Sequence, residues 1–101
     1  MTDPAHRRLS ADEARAGLGS LDGDWSLGND GASIERTITC KGFAKAVYLA
    51  NLAAYHADRQ GHHPDIAFGV GYCRIAYTTH DVGGLSENDF AGAAAFDRLV
   101  G

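Results

Sequence analysis

The chain has 101 residues, a formal net charge of −4, 45% apolar and 22% charged residues, a size and balance that suit one soluble domain with one core. No run approaches the roughly 18 to 20 apolar residues of a spanning helix, and the nine Lys and Arg are scattered rather than gathered in a stripe. A membrane-spanning role and direct nucleic-acid binding are therefore disfavoured.

The amino terminus, MTDPAHRRLSADEARAG, carries two arginines with no apolar segment after them. It does not read as a secretory signal, so a cytoplasmic location is expected. Residues 1 to 8 are expected to form a flexible tail on a single domain spanning 1 to 101. From Ser10 the pattern turns helical: Ser10 stands at an N-cap with Glu13 three residues later, the spacing of a capping box, and Gly17 and Gly19 close the segment. Trp25 and Leu27 then precede Asn29-Asp30-Gly31, a turn signal because these residue types tolerate positive φ.

A strand is expected from about Ser33 to Cys40. Ile34, Ile38 and Cys40 share one face, interrupted by Arg36, and Ser33, Glu35, Thr37 and Thr39 line the other. Residues 41 to 60 have no proline and are rich in Ala and Leu, which predicts a helix of four to five turns stopped by Gly61. Phe43, Val47, Ala50 and Ala54 form one apolar stripe; Leu49, Leu52 and Tyr55 widen it beyond what one sheet covers, so part of this helix is expected to meet another subunit.

The segment from Asp65 to Tyr77 alternates twice around Gly69 and Gly71, which predicts a hairpin. Ser86 as N-cap with Asp89 at the third helical position opens a last helix through Phe90, Phe96 and Leu99. The expected fold class is α+β: a four-stranded antiparallel sheet with helices packed on one face, in the order α-β-β-α-β-β-α. Cys40 and Cys73 lie in strand-like segments without CxxC spacing and read as free thiols.

His62 and His63 follow the long helix and precede Pro64, which holds residue 63 extended. Neighbouring side chains then point to opposite sides and cannot easily clasp one metal ion. The hairpin returns His80 to the same end of the sheet, with Asp58, Asp81 and Asp89 nearby in the chain. Three readings stand open on the residues alone. These are loop histidines at element ends; or ligands of a metal, for which the helical spacing of a zinc site is missing; or general acid/base groups, which imidazole suits near neutral pH. No serine or cysteine nucleophile stands out, and Gly69, Gly71, Gly83 and Gly84 make no phosphate-binding loop pattern.

An acid, three residues, HHP, sixteen residues from that proline to the histidine of TTH, then DVGGLSENDF: this arrangement, with IERTI and the Ala-rich helix before it, resembles the pterin-4a-carbinolamine dehydratases over about residues 25 to 99. The resemblance implies a dehydratase that removes water from 4a-hydroxytetrahydrobiopterin to give quinonoid dihydropterin, without a metal or other cofactor. It implies catalytic roles for His62, His63, His80 and Asp58, with His62 and His80 as the acid/base pair, His63 against the pterin and Asp58 orienting an imidazole. Pro64, Thr79 and Asp89 are implied in substrate binding. Implied partners are the pterin substrate, a homo-oligomeric dimer or tetramer, and an aromatic amino acid hydroxylase as functional companion. A protein-binding role is the alternative, because relatives include a homeodomain transcription-factor partner and a Rubisco assembly factor of carboxysomes. The chain departs from the family pattern at Val70, where Tyr or Trp is usual.

Overall fold

The computed structural model describes residues 7–100; the part of the expected tail in residues 1–6 lies outside the described residues. Helix α1 (Ala11–Gly19) starts on the anticipated capping box, with the Glu13 N–H donating to Ser10 Oγ and the Ser10 N–H donating to the Glu13 carboxylate. Arg7 forks onto the same carboxylate with bonds of 3.0 and 2.8 Å. Strand β1 (Ser26–Gly28) leads through Asn29, Asp30 and Gly31, all at positive φ, into β2 (Ser33–Thr39). Helix α2 (Ala44–Gln60), the hairpin β3 (Asp65–Gly69) and β4 (Tyr72–Tyr77), and helix α3 (Glu87–Val100) complete the chain.

All strand pairs are antiparallel and the sheet order is β1-β2-β4-β3, in the element order read from the sequence. Period-two alternation sends Ile34, Cys73, Ile75 and Tyr77 to the covered face, where they are fully buried, and places Arg74 opposite Thr37 on the other. Arg36 interrupts the apolar face of β2 without an unpaired charge. Its guanidinium reaches Asp97 of α3 at 2.5 Å, and Asp97 also accepts from the Trp25 indole and the Gly23 N–H, both at 2.9 Å. The buried carboxylate thereby gathers three donors, two from the α1–β1 loop and one from β2, the arrangement that makes a buried charge tolerable.

Two details of α2 differ from the sequence reading. The helix starts at Ala44 rather than Lys41, since Gly42 sits at φ +76, outside helical space. Its covered face is Ala46, Leu49, Ala50, Ala53 and Ala57, whereas Phe43 and Ala54 are exposed. The sheet already fills the interlayer with Ile75 and Tyr77, and α3 adds Phe96, so mostly methyl-sized side chains fit beneath α2. The aromatic residues are turned outward: Phe43, Tyr48 and Tyr55 are 52%, 54% and 65% exposed. Among the described residues no helix is long and apolar enough to cross a membrane.

Candidate functional site

Gly61 ends α2 in the left-handed region at φ +78, and its N–H bonds the Ala57 carbonyl at 2.8 Å. Glycine adopts this conformation without the Cβ clash that other residues suffer, so the chain turns sharply off the helix at this point. The extended residues before Pro64 then separate the two imidazoles. His62 turns inward, its side chain 17% exposed, and its Nε2 meets Asp89 Oδ1 at 2.6 Å. His63 turns out, 63% exposed, and its Nε2 reaches Asp58 Oδ1 one turn back on α2 at 3.2 Å.

Asp89 belongs to the first turn of α3 and is completely buried. Its Oδ2 accepts the Thr79 hydroxyl at 2.8 Å and the Ser86 N–H at 2.9 Å, while Oδ1 faces His62. The donors can be ordered. Asn88 N–H donates to Ser86 Oγ, Ser86 Oγ–H to Thr79 Oγ1 at 2.7 Å, and Thr79 Oγ1–H to the carboxylate, which can only accept. The same argument assigns the His62 proton: facing a carboxylate, Nε2 carries the hydrogen, and Nδ1 is the ring nitrogen left to exchange one. Asp89 is thus both the anticipated helix cap and a support for an imidazole, one oxygen for each task.

The β3–β4 hairpin explains the rest. Its two-residue tip, Val70 and Gly71, lies at one end of the sheet, and the strands run back so that residues 62 to 64 and 78 to 81 meet at the other. There they enclose a cleft of about 240 Å³ lined by His62, His63 and His80 together with Gly61, Thr78, Thr79 and Asp81. The size falls just below the roughly 300 Å³ lower end of drug-sized pockets, suited to a small planar ring. His80 begins a short 3-10 turn closed by Gly83 at φ +69.

The structure therefore brings His62, His63, His80 and Thr79 to one cleft, with Asp58 and Asp89 behind the histidine pair. Asp89 and Pro64 are not among its lining residues; Asp89 reaches it through His62. Val70, 75% exposed at the far hairpin tip, is no part of the cleft wall. Sequence reasoning passed over Thr78 and Tyr77. The Tyr77 ring lies nearly parallel to the His62 imidazole, centroids 5.8 Å apart and planes at 15°. Its place immediately before TTH, on the covered face of β4, was the available signal. Burial, with a smaller contribution from the Asp89 charge, raises its phenol pKa to about 12. Among the described residues no group of three or more His, Cys, Asp or Glu is placed to hold a metal ion. A larger cleft of about 320 Å³ between α1 and α3, lined by Leu9, Ala16, Gly17, Phe90, Glu13 and Glu87, has acidic groups but no imidazole or thiol to work with them.

The family model described as pterin 4 alpha carbinolamine dehydratase matches residues 7–99. A protein of Paracoccus denitrificans, provisionally named pterin-4-alpha-carbinolamine dehydratase, is 52% identical over 93 residues, 92% of this chain and 86% of that one. A similarly named protein of Chloroflexus aggregans is 47% identical over 77% of this chain and 82% of its own. Among solved structures, a transcriptional coactivator/pterin dehydratase from Brucella melitensis matches with a TM-score of 0.84 and 27% identity, covering 94% of this chain and 100% of that one.

Proposed function

We propose that this chain, which belongs to the pterin 4 alpha carbinolamine dehydratase family, dehydrates 4a-hydroxytetrahydropterins through the histidines of the cleft. The observation that carries the reading is the convergence of His62, His63 and His80 on one small cleft, with a carboxylate behind each member of the adjacent pair. The reaction breaks the C4a–O bond, delivers a proton to the departing hydroxide and removes one from N5. The product is quinonoid dihydropterin and water, so protons balance and no electron changes hands. An acid and a base on opposite sides of a flat ring suffice, and imidazoles can take both parts near neutral pH.

His62 acts through Nδ1, its plane and tautomer held by Asp89, and His80 is its counterpart across the cleft. His63 contacts the ring at the mouth, oriented by Asp58. Thr79 spends its hydroxyl on Asp89, so it serves the substrate by fixing that carboxylate. Pro64 serves by setting the path of the histidine pair into β3. In the cell the enzyme would return pterin released by an aromatic amino acid hydroxylase to the tetrahydrobiopterin cycle.

A second reading is favoured by the aromatic surface of α2. Phe43, Tyr48 and Tyr55 are exposed, Phe43 pairing with Phe68 at 6.0 Å, and the Brucella neighbour's description joins coactivator to dehydratase. A non-catalytic protein-binding role would use that surface and leave the cleft idle. Stopped-flow measurement of carbinolamine dehydration separates the two. The catalytic reading expects acceleration over the spontaneous reaction and a loss of roughly 10²-fold or more in His62→Ala and His80→Ala. It fails if the wild-type protein gives no acceleration, or if both variants keep full activity.

A further inference from the structure

His62 is held at two places, and only one of them is a hydrogen bond. A bond at Nε2 fixes one atom of the imidazole but resists rotation of the ring about its χ2 axis weakly, because terminal sp³–sp² torsions have broad wells. The missing restraint lies on the ring face. Tyr77 is fully buried, stacks on His62 at 15°, and its hydroxyl has no hydrogen-bond partner among the described residues. A buried hydroxyl without a partner is costly, so the value of this side chain lies in its ring.

The ring has no room to yield. On one side is Trp25, centroids 6.1 Å apart. On another is α3 at Gly92, where a Cβ would meet Tyr77 Cε1 at 2.7 Å, Cζ at 2.8 Å and the hydroxyl at 3.1 Å. Gly92 lies one helical turn after Asp89, so α3 addresses His62 twice: directly at the ring edge through Asp89, and at the ring face through Tyr77.

We propose that Tyr77 is a positioning residue for the proton-transfer step, its ring setting the plane of the His62 imidazole, with Gly92 as the gap in α3 that lets it lie there. The kinetic part of this proposal rests on the dehydratase reading above; the geometric part does not. Because Tyr77 is shut away from the cleft, its loss should fall on turnover and spare substrate affinity.

The test uses the full-length protein with labelled histidines. In the wild type the stacked phenol ring displaces the His62 Hδ2 and Hε1 resonances upfield. Tyr77→Leu should return them toward ordinary values and lower kcat about tenfold or more while KM stays within about twofold, since small misplacements of a reacting group are expensive in rate. Tyr77→Phe, which keeps the ring, should restore both the displaced resonances and kcat. Should Tyr77→Leu fail to fold, Gly92→Ala answers the same question: it crowds the ring while raising the local helix preference, and it should shift the His62 resonances and lower kcat. The proposal is overturned if His62 is undisplaced in the wild type, if the folded Leu or Gly92→Ala variant leaves kcat unchanged in an active enzyme, if KM alone rises, or if Phe behaves like Leu. If the wild type shows no dehydration at all, the functional reading falls, and the resonances still decide whether Tyr77 holds His62.

Discussion

Asp89→Asn tests whether one buried carboxylate does two jobs. The amide keeps one oxygen, and the cap demands it at the Oδ2 position, where the Ser86 N–H and the Thr79 hydroxyl both donate. The NH2 group is then forced against His62 Nε2, 2.6 Å away in the native protein, which must give up its hydrogen and become an acceptor. The proton moves to Nδ1, the nitrogen needed at the cleft, and the tautomer is inverted. Two charge-assisted bonds weaken to neutral ones and the interaction of the acid with the α3 terminus is lost. Allowing about 1 kcal/mol for the cap and a similar amount for the weakened bonds gives roughly 2 kcal/mol. For a domain near this size that is a fall in Tm of roughly 8 to 16 °C. Turnover should drop roughly 10²-fold or more, because an imidazole in the wrong tautomer neither accepts nor donates where required. Calorimetry and stopped-flow dehydration on the same preparation read both effects. A lower Tm with unchanged turnover would reduce Asp89 to a helix cap and refute its role behind His62; an unchanged Tm would refute the cap.

Three further outcomes are expected. Arg7 and Ser10 hold the Glu13 pKa down, from 4.5 to about 2, so the stability this carboxylate adds is present above about pH 4.5 and disappears as pH falls toward 2. The Tm gap between wild type and Glu13→Gln should close over that window, and a gap that persists at pH 2 contradicts the pairing. Tyr77 should ionise late, near pH 12, since burial favours its neutral form. Stability linked to it holds below pH 10 and is lost as pH rises through 12; absorbance at alkaline pH checks this, and Tyr77→Phe should remove the late step. Sedimentation at about tens of micromolar should show a dimer or tetramer, because Phe43 beside the start of α2 and Tyr48 and Tyr55 along it leave more aromatic surface to solvent than monomers usually do; a monomer there would contradict the expected homo-oligomer.

The parts of the fold legible in the sequence are those set by local chemistry. The box at Ser10 and Glu13, the positive-φ turn at Asn29 to Gly31, the stop at Gly61 and the tip at Gly71 depend on neighbours within a few residues, and each sits where the pattern placed it. The covered face of α2 was misjudged because it depends on what the sheet supplies. Size suggested that Phe43 points inward, but the volume was already taken by Ile75, Tyr77 and Phe96, and Leu49 with four alanines makes the contact while Val47 stays half-buried. Arg36 looked like a defect in an apolar strand for the same reason. Its partner, Asp97, lies 61 residues away and carries no local sign of the pairing.

The candidate site divides along the same line. HHP, TTH and the Ser86 to Asp89 spacing can be read along the chain, and the hairpin dictates that they meet. What no spacing discloses is the division of Asp89 between Oδ1 and Oδ2, or that a tyrosine from the core face of β4 lies against the imidazole. Both follow from α3 crossing that end of the sheet, where its first turn supplies a carboxylate and its second a glycine. A helix cap must be buried and rigid to stabilise a helix, and an acid that orients a histidine must be buried and rigid to fix a tautomer. The two demands are the same demand on Asp89, so the fold's stability and the precision of His62 should rise and fall together under any change to the start of α3.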